Sequence, residues 1–305
     1  MSRLFLWIGF AALASLSGAL PAFAQEPLRL EGASPWNIHY ADDSCQLARV
    51  FGEGEDRATL VMRQYAPGDS FSLIVAGRPF RPTRTDTVAS VRLGSEIAVQ
   101  EMRYLRGTVG EDRALIFFTE ALLRPLTDAE REEWTRLIED EQGHLFDRPV
   151  ATDDEIAAID FIEIDTRLGP PVRLVTGSMA PAFEALNACT EELLTHWDWG
   201  LDVERHRGIS QAARPLGSPG RWVTPSDYPR PAIRSGAQAI VNFRLLVDTD
   251  GRVAGCHIQQ SIGDEAFDRA VCRALTNRAE FSPALDAEGQ PMASYYMSRV
   301  VFTIP

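Results

Sequence analysis

The sequence predicts an α+β protein in two parts: a β-rich N-terminal domain with helices (25–200) and a small C-terminal ββαβ domain (228–305). Three observations carry that expectation. Between Trp36 and Leu123, short apolar or alternating runs are separated by glycine- and proline-containing breakers, the pattern of strands joined by turns. Residues 201–227 gather Pro215, Pro219 and Pro225 with Gly208, Gly217 and Gly220 and lose periodicity, which reads as a linker. Beyond them the order strand, strand, helix, strand describes a compact α+β unit. At 305 residues, 45% hydrophobic and 24% charged, the chain has the composition of a folded protein and not of a disordered one.

The elements follow in chain order. Met1-Ser2-Arg3, the apolar run from Leu4 to Leu20 and Pro21-Ala22-Phe23-Ala24 read as a signal peptide (1–24), cleaved to leave Gln25. That run is short for a bilayer, which takes about 20 residues, and no later stretch is apolar enough to span one. The mature chain is therefore expected to be exported and to carry no transmembrane segment. Cys45 to Phe51, Ala58 to Tyr65, Phe71 to Ala76, Val88 to Val99 and Ala114 to Leu122 read as strands of an antiparallel sheet or a small barrel. Thr127-Asp128-Ala129-Glu130 and Thr152-Asp153-Asp154-Glu155 are capping boxes that open helices, the first running to about Gln142.

Val172 to Thr176 is a further strand. After it Met179, Phe183, Leu186, Leu193 and Trp197 recur at helical spacing, with Cys189 on the same side, so 179–197 is expected to be a helix with one packing face. In the C-terminal part Val241, Phe243, Leu245 and Val247 alternate with Asn242, Arg244 and Leu246, a strand with one buried face. Asp248 to Arg252 is a turn in which Asp-Gly supplies positive-φ positions, and the returning strand places Ala254, Cys256 and Ile258 on one face. Asp264 to Arg278 is an amphipathic helix aiming Phe267, Ala270, Val271, Ala274 and Leu275 at the sheet, and Pro283 bars its continuation. Gly289-Gln290-Pro291 turns into a last strand, Ala293 to Ile304.

Composition excludes several chemistries. All 30 basic residues are arginine. Without lysine there is no Schiff base, no phosphate loop ending in Gly-Lys-Ser/Thr and no Ser-x-x-Lys acylase. A net charge of −13 with no basic cluster argues against nucleic acid, whose phosphates demand neutralisation. No nucleophile elbow, metal signature or cofactor motif is present, so no catalytic residue, metal or cofactor is assigned. His196-Trp197-Asp198 with His206 is the nearest thing to a metal cluster and reads better as a polar helix end. Four cysteines in an exported chain (Cys45, Cys189, Cys256, Cys272) suggest two disulfides, with three connectivities open. Cys189 on a core face and Cys45 in an early strand are placed to meet.

Tyr228-Pro229, Ala232 and Gly236, then Val241-x-Phe243, Val247-Asp248, Asp250-Gly251-Arg252-Val253, Phe281-x-Pro283-Ala284, Gly289-x-Pro291 and Phe302-x-Ile304 occur in an order that resembles the TonB C-terminal domain. The resemblance covers 228–305. It implies a periplasmic binding protein, not an enzyme, whose partner is an outer-membrane receptor or another cell-envelope protein. In that family the last strand captures an extended receptor segment by β-strand addition, so the candidate edge here is Tyr295, Tyr296, Met297, Ser298, Arg299 and Val300. Some such domains carry one cysteine on the second strand and one on the helix. The likeness thus implies Cys256–Cys272, with Cys45–Cys189 as the other pair.

The chain also departs from the energised transporter component. A cleavable N-terminus and a folded N-terminal domain stand where that component has a membrane anchor and a long spacer. The competing reading is a structural envelope protein whose TonB-like module packs on its own N-terminal domain and captures nothing.

Overall fold

Apolar residues at every second position build the N-terminal half around one large sheet. The computed structural model describes residues 25–80, 87–117, 120–140, 148–197, 201 and 203–304; the expected signal peptide lies outside them. The strands are β1 (Leu28–Glu31), β2 (Asn37–Tyr40), β3 (Cys45–Phe51), β4 (Ala58–Gln64), β5 (Ser70–Gly77) and β6 (Val88–Leu93). They continue with β7 (Gln100–Val109), β8 (Asp112–Phe117), β9 (Ala121–Leu122), β10 (Phe161–Asp165) and β11 (Val172–Val175). The sheet runs β1-β11-β10-β6-β7-β8-β5-β4-β3-β2, with β9 beside β5. Among the described residues only β1 and β11 pair in parallel.

The β1 end of this order returns to β3, the strand next to its other end. Gly32, just past β1, bridges Phe51 at the end of β3, and the Gly52 N–H donates to the Glu31 carbonyl at 2.8 Å. The sheet therefore curls nearly shut, as the barrel alternative anticipated. Its inner face is lined by residues such as Leu60, Met62, Leu73, Val75, Val91 and Tyr104, all buried.

Both expected capping boxes form. They open α1 (Asp128–Glu139) and α2 (Asp153–Ala157), with Thr127 and Glu130, and Thr152 and Glu155, exchanging side-chain-to-backbone hydrogen bonds. The following helix, α3 (Ala180–Thr195), turns its apolar stripe onto the inner face of the sheet. Phe183 meets Phe71 at 5.4 Å, and Cys189 is bonded to Cys45. The pattern predicts one strand from Val88 to Val99, but β6 stops at Leu93. Gly94 turns the chain there at φ +64°. The polar-rich β7 and the edge strands β1 and β2 were not anticipated, because their side chains carry too little alternation to announce them.

Residues 203–227 are ordered and packed. They include α4 (Val203–Arg207) and β12 (Arg214–Pro215). Arg205 is ion-paired with Asp286, and Trp222 is buried against Phe281 at 5.2 Å. The chain continues through α5 (Arg230–Ser235), β13 (Ala239–Val247), β14 (Val253–Ile262) and α6 (Glu265–Arg278). It ends with β15 (Phe281–Ser282), β16 (Ala284–Leu285), β17 (Pro291–Met292) and β18 (Ser294–Phe302). The long strands form an antiparallel sheet in the order β14-β13-β18. Helix α6 covers one face with Phe267, Val271 and Leu275 against Val241, Phe243, Leu245 and Val247. Its Cys272 is bonded to Cys256 of β14, the pair that the family resemblance implied, and Cys45–Cys189 is the remaining pair.

The β13–β14 hairpin differs from expectation in two details. Only Gly251 adopts a positive φ (+78°), while the Asp248 carboxylate accepts from the N–H groups of Asp250 and Arg252. A Cβ on Gly251 would lie 1.9 Å from the Phe281 carbonyl oxygen, so no other residue fits there without moving the backbone. The register also shifts between Leu246 and Val247. This bulge moves Val253 into the core beside Cys256 and Ile258 and leaves Ala254, expected inside, exposed.

Candidate binding edge on the C-terminal sheet

Strand β18 ends its sheet. One edge is paired with β13 over nine residues, from Ser294 opposite Val247 to Phe302 opposite Ala239. No strand among the described residues pairs with the other edge. An unpaired edge offers a row of N–H and C=O groups to an extended chain. The six residues expected to form this edge all lie in β18, and the sheet alternation sorts them onto two faces.

Tyr296, Ser298 and Val300 belong to the α6 face. Tyr296 packs on Phe281 at 5.0 Å and edge-on to Trp222 at 5.8 Å. Burial raises its phenol pKa, with a hydrogen bond to Ser298 working the other way. Tyr295, Met297 and Arg299 belong to the opposite face, which meets the N-terminal half. Tyr295 stacks on His206 at 5.0 Å and stands edge-on to Trp197 at 5.1 Å. Its hydroxyl is pushed up to about 12 by burial, slightly offset by the Arg244 charge. Met297 packs against the N-terminal core.

The strand expected to bury one face thus buries two. Arg244 of β13, on the polar side of the alternation, is only 3% exposed. Its guanidinium sits 3.6 Å over the Trp197 ring and 3.7 Å from the Asp43 carboxylate. Asp43 also lies 2.8 Å from His257 Nε2, and Tyr65 is hydrogen-bonded to Gln260 of β14. Loss of solvation lowers the Arg244 pKa to about 10, which still leaves a cation at neutral pH. Sequence reasoning missed this contact. Trp197 read only as the end of a packing stripe, and nothing local marks Asp43 as the partner of a residue two hundred positions away.

Of the residues around His196-Trp197-Asp198 and His206, read as a polar helix end, the histidine at 206 packs into the seam. Asp198 lies outside the described residues, and His206 is committed to Tyr295 and to Ser294 Oγ at 3.2 Å. Burial lowers the His206 pKa. The unfolded chain therefore takes up a proton before the folded one does, and stability is lost as pH falls below the unfolded value of about 6.5. Thermal melts at pH 7 and pH 5 should show a smaller drop for His206→Gln than for the parent. An equal drop would place the acid sensitivity elsewhere.

The two ends of the candidate edge differ in access. Tyr295 and Tyr296 are enclosed between Trp197 and His206 on one face and Trp222 on the other. From Ser298 onward the strand opens. Ser298 and Arg299 border a pocket of about 290 Å³ on the N-terminal side and one of about 240 Å³ beside Trp222. An apolar groove of about 490 Å³, lined by Tyr228, Ile233 and Val300 to Ile304, continues along the strand end.

Residues 224–304 match the family described as Gram-negative bacterial TonB protein C-terminal. They form a TonB C-terminal domain. The match begins at Thr224, in the capped turn before α5, four residues earlier than the motif elements indicated. Among solved structures, the solution NMR structure of the Pseudomonas aeruginosa TonB C-terminal domain is 26% identical, covering 30% of this chain and 86% of its own, with a TM-score of 0.24. No curated protein matches the chain. TonB-family proteins are associated with the cell envelope. Among the described residues no helix is long and apolar enough to cross a membrane, and no group of three or more histidine, cysteine or acidic side chains is placed to hold a metal ion.

Proposed function

We propose that this protein is a periplasmic, non-enzymatic binding protein with a transport-related role. It captures an extended segment of an outer-membrane receptor or another envelope protein on the free edge of β18. In this reading 25–200 and 228–305 are its two domains, and 201–227 is the packed connection between them. The observation that carries the reading is the edge itself: an end strand of a TonB C-terminal domain, unpaired among the described residues and bordered by a pocket on each face from Ser298 onward. Backbone groups there supply affinity and flanking pockets supply preference. Tyr295 and Tyr296, enclosed as they are, serve as the fixed end of the edge, and Ser298, Arg299 and Val300 as the docking end.

The packed structural module is supported by a different observation, the buried Arg244–Trp197–Asp43 contact that ties the sheet to the N-terminal half. One experiment separates the two. Adjacent residues in a strand direct their N–H groups to opposite edges, so one of Ser298→Pro and Arg299→Pro breaks the ladder to β13 and the other removes an outward donor. The outward variant should fold, by circular dichroism, and lose binding of periplasmic receptor-segment peptides by at least tenfold. Ser298→Ala should bind like the parent. If the folded proline variant binds as tightly as the parent, capture at β18 is wrong and the packed module stands.

A further inference from the structure

We propose that the turn at 219–223 and the Phe243–Ser298 pair form a pocket for one large apolar side chain of the captured strand, that of the residue lying opposite Ser298. This rests on capture at β18 and adds to it the chemistry of the segment captured. Across the C-terminal sheet, Ile258 of β14, Phe243 of β13 and Ser298 of β18 lie side by side on the α6 face. Ile258 and Phe243 pack into the core of that domain, Phe243 only 2% exposed, but Ser298 is exposed. A serine at the end of an apolar row leaves room, and the pocket of about 240 Å³ beside Trp222 occupies it. Trp222, Val223, Phe243 and Leu275 wall that space with rings and aliphatic groups. The Ser298 hydroxyl is engaged by Tyr296, and Arg299 belongs to the opposite face of the sheet. A charged side chain entering there would give up water for apolar walls, whereas a leucine or phenylalanine would bury its surface.

The space opens toward an added strand. It borders four consecutive residues of β18, Ser298 to Val301, whereas a space lying wholly under one face would touch alternate ones. Beyond it Val223 to Pro225 follow Val300 to Ile304 along a groove that no β13 or β14 residue lines among the described residues, which places this stretch on the outer side of β18. Side chains directly opposite each other on neighbouring strands touch. The residue paired with Ser298 therefore extends the row Ile258–Phe243–Ser298 and projects into the pocket. Trp222 is held in place by Phe281 at 5.2 Å and Tyr296 at 5.8 Å. Both it and Val223 precede the residues that match the TonB C-terminal family, which begin at Thr224. The wall is thus this chain's own addition to the family domain, and Trp222 is its specificity-determining residue.

The test uses the full mature chain and two eight-residue peptides, acetylated and amidated, built on threonine because it favours an extended strand. One carries a single leucine in the middle, and the other has alanine in its place. By isothermal titration the leucine peptide is expected to bind about tenfold more tightly, the gain from the apolar groups that leucine adds in a pocket open on one side. Ser298→Leu fills the pocket from within, and Trp222→Ala removes its wall. Each should cut the preference for leucine over alanine to less than about twofold. Ser298→Leu carries the test should Trp222→Ala melt early. Equal affinities of the two peptides for the parent overturn the inference and leave strand capture standing. Binding of neither peptide overturns both, and a preference for leucine that survives Ser298→Leu places the apolar subsite elsewhere and overturns this one.

Discussion

Replacing Cys45 and Cys189 together by alanine is expected to lower the stability of the protein by about 5 kcal/mol, the largest single effect among the changes considered. The bridge joins positions 144 residues apart, and in the chain-entropy account the cost released into the unfolded state grows with the logarithm of the loop. The Cys256–Cys272 bridge, spanning 16 residues, is worth about 3 kcal/mol on the same account. Both cysteines of the long bridge are fully buried, so the alanine pair also leaves a small void between β3 and α3. Urea unfolding of the parent and each double variant, without reductant, measures the difference. Equal losses for the two bridges would sink the loop-length argument. The long bridge has a second consequence. It fixes β3 next to Asp43 and α3 next to Trp197, the two N-terminal residues that hold Arg244.

Arg244→Ala is expected to cost about 3 kcal/mol and to separate the melting of the two halves. The substitution removes a buried cation from the face of Trp197 and takes the guanidinium away from Asp43, and that loss falls where the C-terminal sheet meets the N-terminal sheet. Calorimetry should show one transition for the parent and two for the variant, with a shift in Trp197 fluorescence. Arg244→Lys should fall between them, because an ammonium keeps the charge but loses the planar stack on the indole. A loss under about 1 kcal/mol, the range of exposed ion pairs, would mean that the halves are joined by other contacts.

Much of this architecture is legible locally. Val241, Phe243, Leu245 and Val247 sit on one face wherever the strand goes, and Phe267, Val271 and Leu275 form one helical stripe by spacing alone. The capping boxes at Thr127 and Thr152 form because their hydrogen bonds close within four residues. The ordered set of turn and core residues from Tyr228 to Ile304 was enough to point to a TonB C-terminal domain, and hence to its last strand.

What the chain could not announce are contacts between distant segments. The parallel pairing of β1 with β11 and the bridge from Gly32 to Phe51 depend on strands more than a hundred residues apart, or on the curl of the whole sheet. Val253 replaces Ala254 in the core because a bulge, invisible in a strict period of two, shifts the register. Arg244 marks the deepest division. Alternation determined that it lies on the face away from α6, and its charge argued for water. Only the tertiary structure decided that this face is covered, because an indole at 197 and a carboxylate at 43 replace the water that a guanidinium would otherwise require.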